Sequence, residues 1–238
     1  MSEMNFTFPS LVEGESWVEG EMVSSPKLSR AYNAVTKPSV TGHIILNFWH
    51  EFLSYWMVSS AVSLFVRYDH GITRLPAPDL SLGIWMNYRG PGDWPTEIGP
   101  MLFVACPREN ETRGQVQYRL AEWAKEYLLR TDEKLRKTSA NSNGGKAALP
   151  DKTHIWVAVT WKERIRFFKY TSEASNKADP TCRSLSVTPF AGSVQSDSWD
   201  YYLDPKIKEH SVKLRAVMCQ VLWDRPPYYG FGRLAPGE

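Results

Sequence analysis

Two short apolar runs constrain this chain more than any other feature. Met101-Leu102-Phe103-Val104-Ala105-Cys106 and the stretch from Ile155 to Trp161 are apolar almost without interruption. A strand points successive side chains to opposite faces, so an unbroken apolar run belongs to a sheet covered on both sides. Between the runs, Val116, Leu120, Trp123, Ala124, Tyr127 and Leu128 recur at three- and four-residue steps. That spacing predicts a helix over about Arg113 to Arg130 with one apolar face. Strand, helix, strand in this order predicts an α/β fold, a mixed central sheet flanked by helices.

The flanking segments extend the pattern. Ile44, Ile45, Phe48, Phe52, Tyr55 and Trp56 predict an earlier amphipathic helix, with Thr41 as its N-cap. Val62 to Tyr68 and Asp79 to Trp85 predict strands, and Asn87 to Gly99 a loop punctuated by Gly and Pro. Asp69-His70-Gly71 is a turn, or an acid/base pair. Thr131 to Lys152 is polar and predicts a mildly basic flexible loop, solvated or in contact with nucleic acid. His154 to Trp161 and Ile165 to Tyr170 predict a hairpin whose second arm lies nearer an edge. Residues 1–40, with a short strand at Ser16-Trp17-Val18, predict an irregular arm; 171–200 are Ser-rich and irregular, and Ile207 to Leu222 a closing helix.

Composition narrows the class. A chain of 238 residues with 42% hydrophobic and 23% charged residues is an ordinary single globular domain with an elaborated end. The ten Trp are expected mainly in the core. A net charge of +2 is too small to argue for nucleic acid by itself. Cys106, Cys182 and Cys219 lie far apart without zinc spacing, which fits a reducing compartment. The first residues lack a basic and apolar leader, and Ile44 to Val66 is broken by His50, Glu51 and serines. The expectation is therefore an intracellular protein, cytoplasmic or nuclear, with no membrane partner.

Pro78-Asp79, the strand ending in Cys106, and the helix containing Gln115 to Trp123 carry a further pattern. In this order they resemble the PD-(D/E)XK, or restriction-endonuclease-like, superfamily, and in particular its divergent fungal members. There a Pro-Asp strand precedes a strand ending in Glu, followed by a helix and a hairpin. The resemblance covers about Thr41 to Tyr170. It implies an arm over residues 1–40, a nuclease-like core over 41–170, and a C-terminal helical extension over 171–238 packing on that core.

The chemistry implied by the resemblance is phosphodiester cleavage, in which magnesium activates water and offsets phosphate charge. Magnesium takes hard oxygen ligands, so carboxylates must converge. Asp79 matches the first of them, but the Glu position falls on Ala105 and the Lys position on Pro107. Glu109, Glu111, Glu122 or Gln117 on the far side, or Asp69 or Glu51 on the other, are the candidates to replace the missing ligand. Asp79 with Glu122 is the metal pair, and Lys125, Arg113 or Arg166 the basic groups for the same cleft. Loss of both the Glu and the Lys implies a degenerate domain, catalytically silent, that binds DNA or RNA or another protein and needs no cofactor. The alternative is an active magnesium-dependent nuclease with a migrated acidic ligand.

Overall fold

The computed structural model describes residues 22–57, 63–68, 81–89, 95–141, 152–176, 179–194 and 198–224. One mixed sheet holds six strands in sequence order. These are β1 (Ser63–Tyr68), β2 (Ser81–Arg89), β3 (Pro95–Ala105), β4 (Lys152–Trp161), β5 (Arg164–Asn176) and β6 (Asp179–Pro189). Every neighbouring pair is antiparallel except β3 and β4, which run parallel. The helices are α1 (Pro26–Val35), α2 (Gly42–Met57), α3 (Arg113–Asn141) and α4 (Lys208–Trp223). The α/β class and the flanked mixed sheet agree with the sequence reading.

Period two divides the central strands between two cores. Phe103 and Ala105 of β3, with Ile155, Val157 and Val159 of β4, pack against Val116, Leu120, Trp123, Ala124 and Leu128 of α3. Leu102, Val104 and Cys106, with Trp156 and Ala158, face the opposite core, which α1, α2 and α4 cover. Both apolar runs are therefore buried on both faces. On the α3 side the packing includes a stacked pair of rings, Phe103 and Trp123, with centroids 3.9 Å apart.

Several elements differ from expectation, each for a tertiary reason. The N-terminal arm contains α1, whose Ser25 Oγ accepts from Leu28 N at 3.2 Å while Pro26 opens the first turn. α2 buries Trp49 and Leu53 completely and leaves Ile44 and Tyr55 each 38% exposed. Its apolar face is broader than the predicted stripe because it meets α1 as well as the sheet. β2 runs to Arg89 and β3 begins at Pro95, so strands occupy much of the predicted Asn87–Gly99 loop. Their register shifts around Trp85. β5 is an inner strand, with β6 beyond it in the segment expected to be irregular. Ser16-Trp17-Val18 and the Asp69-His70-Gly71 turn lie outside the described residues.

α3 continues eleven residues past Arg130, to Asn141, where a loop was expected. Its extension carries Asp132, which is 1% exposed. Thr153 Oγ1 of β4 donates to Asp132 Oδ1 at 2.9 Å, and Ser172 Oγ of β5 donates to Oδ2 at 2.6 Å. Arg183 Nε of β6 lies 3.0 Å from the same Oδ2, its side chain 3% exposed. One buried carboxylate thus ties the helix to three strands. Among the described residues no helix is long and apolar enough to cross a membrane.

This network generates a prediction. Asp132→Ala leaves the Arg183 guanidinium buried without its counter-charge and should lower stability by about 3–5 kcal/mol, read from the midpoint of urea unfolding. A loss below about 1 kcal/mol, as at exposed ion pairs, would mean that the network does not tie α3 to the sheet.

Candidate functional site

The expected site lies where β2 begins and β3 ends. Ser81 pairs with Ala105 across the antiparallel ladder, and Ala105 pairs with Val159 of β4 on its other side. Asp79, two residues before Ser81 in the chain, lies outside the described residues, as does Asp69. The adjacency required of the two strands is present. Ala105 is fully buried and belongs to the apolar core under α3. Pro107 is buried as well. Thr160 Oγ1 reaches the Ala105 carbonyl at 3.2 Å and Cys106 Sγ at 3.1 Å. Burial pushes the Cys106 thiol up to about 12, which keeps it protonated and excludes it as a nucleophile near neutral pH.

The connection from β3 to α3 holds two of the candidate acids. Glu109 is exposed at a turn, and Asn110 beside it adopts a left-handed φ of 62°, a conformation that Asn tolerates. Glu111 turns back. Arg119 Nε donates to its Oε1 at 2.9 Å, and Arg119 Nη2 to its Oε2 at 2.8 Å. Oε2 also accepts from Arg108 N at 2.8 Å, while Arg119 Nη2 reaches the Cys106 carbonyl at 2.9 Å. Burial raises the Glu111 carboxyl, but the bonds from Arg119 and the Arg108 amide outweigh it and hold the group below the usual carboxylate range. Thr112 and Gln115 then close a capping box, Thr112 N donating to Gln115 Oε1 at 2.8 Å and Gln115 N to Thr112 Oγ1 at 3.3 Å. Glu111 thus straps the end of β3 to the start of α3.

The remaining candidates are engaged elsewhere. Glu122 pairs with Lys125 at 2.7 Å on the exposed face of α3. Glu51 pairs with Lys27 of α1 at 2.5 Å. Gln117 Nε2 donates to the Val194 carbonyl at 3.2 Å. Magnesium needs converging oxygens. Ala105 brings none, and Glu111 and Glu122 are given to Arg119 and Lys125, so these three positions do not supply the converging oxygens. No group of three or more His, Cys, Asp and Glu among the described residues could hold a metal.

A different set gathers at the same end of the sheet. Trp161 closes β4, Lys162 and Glu163 form the turn, and Arg164 opens β5 opposite Trp161. Lys162 has a left-handed φ of 55°, and its carbonyl accepts from Trp49 Nε1 of α2 at 3.0 Å. The short 3-10 turn Trp199–Tyr201 lies alongside, because Leu203 exchanges backbone hydrogen bonds with Ile165 at 2.8 and 3.0 Å. Gly192 makes room for this turn: it has φ +73°, and a Cβ there would meet the Tyr201 ring at 2.3 Å. The Arg113 guanidinium, at the start of α3, stands 3.9 Å from the Trp199 ring centre, and that of Arg164 5.2 Å. Arg166 is buried among Phe168, Tyr201 and Tyr202 and donates to the Ser193 carbonyl at 2.6 Å. Of the predicted basic groups, Arg113 and Arg166 come to this end and Lys125 pairs on the helix surface. Trp161, Lys162, Arg164 and Trp199 were not singled out in the sequence. Their only signal is a Trp-Lys-Glu-Arg turn, and Trp199 lies in a segment without period.

The Glu111 strap predicts a pH dependence. A carboxyl held low in the folded chain contributes fully above its unfolded pKa of about 4.3, and the contribution is lost as pH falls through the lower folded value. Glu111→Gln should therefore cost about 1–3 kcal/mol at neutral pH, and the gap to the parent chain should narrow below about pH 4. Urea unfolding at a series of pH values reads both; a gap independent of pH would contradict the ionic strap. No protein-family model, curated protein or solved structure matches this chain.

Proposed function

We propose that this chain is a restriction-endonuclease-like domain that has lost catalysis and binds nucleic acid. The order of elements supports the kinship: α2, the adjacent β2 and β3, then α3, then the β4–β5 hairpin. The observation that carries the silent reading is the burial of Ala105 in apolar packing directly opposite Ser81. A metal-binding strand end would present an oxygen there, and this one presents a methyl group against α3. Pro107, at the position of the missing Lys, is buried too and offers no ammonium.

Binding is supported by the side chains that collect at the carboxyl ends of the parallel strands, the end where open α/β sheets receive ligands. Lys162, Arg164 and Arg113 bring three cations close to two indoles, Trp161 and Trp199. Cations meet phosphates and aromatic rings stack on bases, a pairing that suits nucleic acid independently of the chain's small net charge.

The test combines binding with cleavage. Single- and double-stranded DNA and RNA are incubated with the protein and magnesium or manganese. The expected outcome is retention of nucleic acid that weakens as salt rises, with no cleavage above the protein-free control. Cleavage that Asp79→Ala abolishes would establish the nuclease instead, and failure to retain any nucleic acid would remove the binding reading.

A further inference from the structure

An open cleft of about 430 Å³ is lined by Trp161, Lys162, Glu163, Arg164 and Trp199. Its walls are polar and apolar in similar measure, and Trp199 is 42% exposed, the largest ring so exposed near the strand ends. Arg164 Nε is 3.7 Å from Glu163 Oε1, too long for a hydrogen bond. The guanidinium thus meets Glu163 as an ion pair and the Trp199 ring through its charge, and among the described residues it makes no hydrogen bond. Glu163 buries its Oε2, which leaves the rim to Lys162 and Arg164.

Charge and size decide what such a cleft takes. Aromatic walls with a carboxylate can hold a methylated ammonium, but here two cations line the cleft against one inward-turned carboxylate, with Arg113 over the Trp199 ring, and they would repel it. An acidic peptide would use Lys162 and Arg164 but neither Trp161 nor the exposed part of Trp199. A planar base joined to a phosphate uses both. The volume is at the low end of the roughly 300–1,000 Å³ typical of small-ligand sites, room for one nucleotide and too little for a duplex. Bases become available singly only where they are unstacked, which is how single strands are read.

We propose that this cleft binds one unstacked nucleotide of a single-stranded nucleic acid, the base against Trp199 and Trp161 and the phosphate on Arg164 and Lys162. The proposal rests on the nucleic-acid reading above and narrows it to strand form and place.

The experiment measures fluorescence anisotropy of labelled 12-residue single strands of RNA and DNA, and of the matching duplex. It uses the parent chain, Trp199→Ala, Trp199→Phe, Arg164→Gln and, as a surface control, Lys125→Gln. Single strands should bind more tightly than duplex. Trp199→Ala should weaken single-strand binding about 5- to 150-fold, the loss of one stacked base, with Trp199→Phe restoring most of it. Arg164→Gln should reduce the slope of log affinity against log salt by about 1 unit or slightly less, and Lys125→Gln should change little. Thermal unfolding of each variant confirms that it is folded.

If the parent chain binds single strands and Trp199→Ala binds equally well, the cleft is wrong and the wider reading stands. If the parent chain binds no nucleic acid, both fall. Preference for duplex overturns the single-strand claim, and nucleoside monophosphates that bind as tightly as the 12-residue strand would replace it with a free nucleotide.

Discussion

The parallel pairing of β3 with β4 is the constraint that sets the remaining geometry. Leu102, Phe103, Val104 and Ala105 pair in step with Trp156, Val157, Ala158 and Val159. Parallel neighbours cannot be joined by a tight turn, so the chain between them has to cross one face of the sheet, and α3 is that crossing. The same pairing brings two strand ends to one edge. There the β3–α3 connection, the turn at Lys162 and Glu163, and the start of α3 at Arg113 meet. The bond from Thr160 Oγ1 to the Ala105 carbonyl holds the two ends in register at the last residue of β3.

At this edge acidic and basic groups have separate roles. Three of the carboxylates that the sequence offered for a metal have partners that stabilise the frame: Glu111 on Arg119, Glu51 on Lys27, Glu122 on Lys125. The Glu111–Arg119 pair is the most enclosed of these, its side chains 11% and 14% exposed, and it is two-pronged, the geometry in which Arg and carboxylate interact most strongly. Cations and indoles instead occupy the rim. The interactions this rim offers are charge attraction and stacking.

How far this could be read in advance depends on whether a feature is written locally. The runs at 101–106 and 155–161 were legible because strands buried on both faces need apolar residues at every position. The α3 stripe from Val116 to Leu128 was legible because one helix face meets one sheet face, and all six of its residues are buried. The extension of α3 was not, because Asp132 looks like a solvated loop residue until Arg183, fifty-one positions later, is brought beside it. β6 escaped for a similar reason: in an edge strand rich in Ser and Thr only Leu185 and Val187 carry the alternation, too short a pattern to stand out, and its pairing with β5 makes it a strand. That the strand following Pro78-Asp79 and the strand ending in Cys106 lie side by side was anticipated. The collection of Trp161, Arg164 and Trp199 was not, since a tertiary backbone exchange between Ile165 and Leu203 brings the last of them into place.

The central claim is that Ala105 fills an apolar position, at the place where the proposed kinship would put an acid. Thermal unfolding of Ala105→Glu, with and without millimolar magnesium, tests it most directly. A carboxylate forced among Phe103, Trp123 and Val159 without a partner should lower stability by several kcal/mol, and magnesium should not restore it. A variant that folds as stably as the parent chain, and that magnesium raises further, would contradict the account by revealing a metal site that needed only its missing ligand.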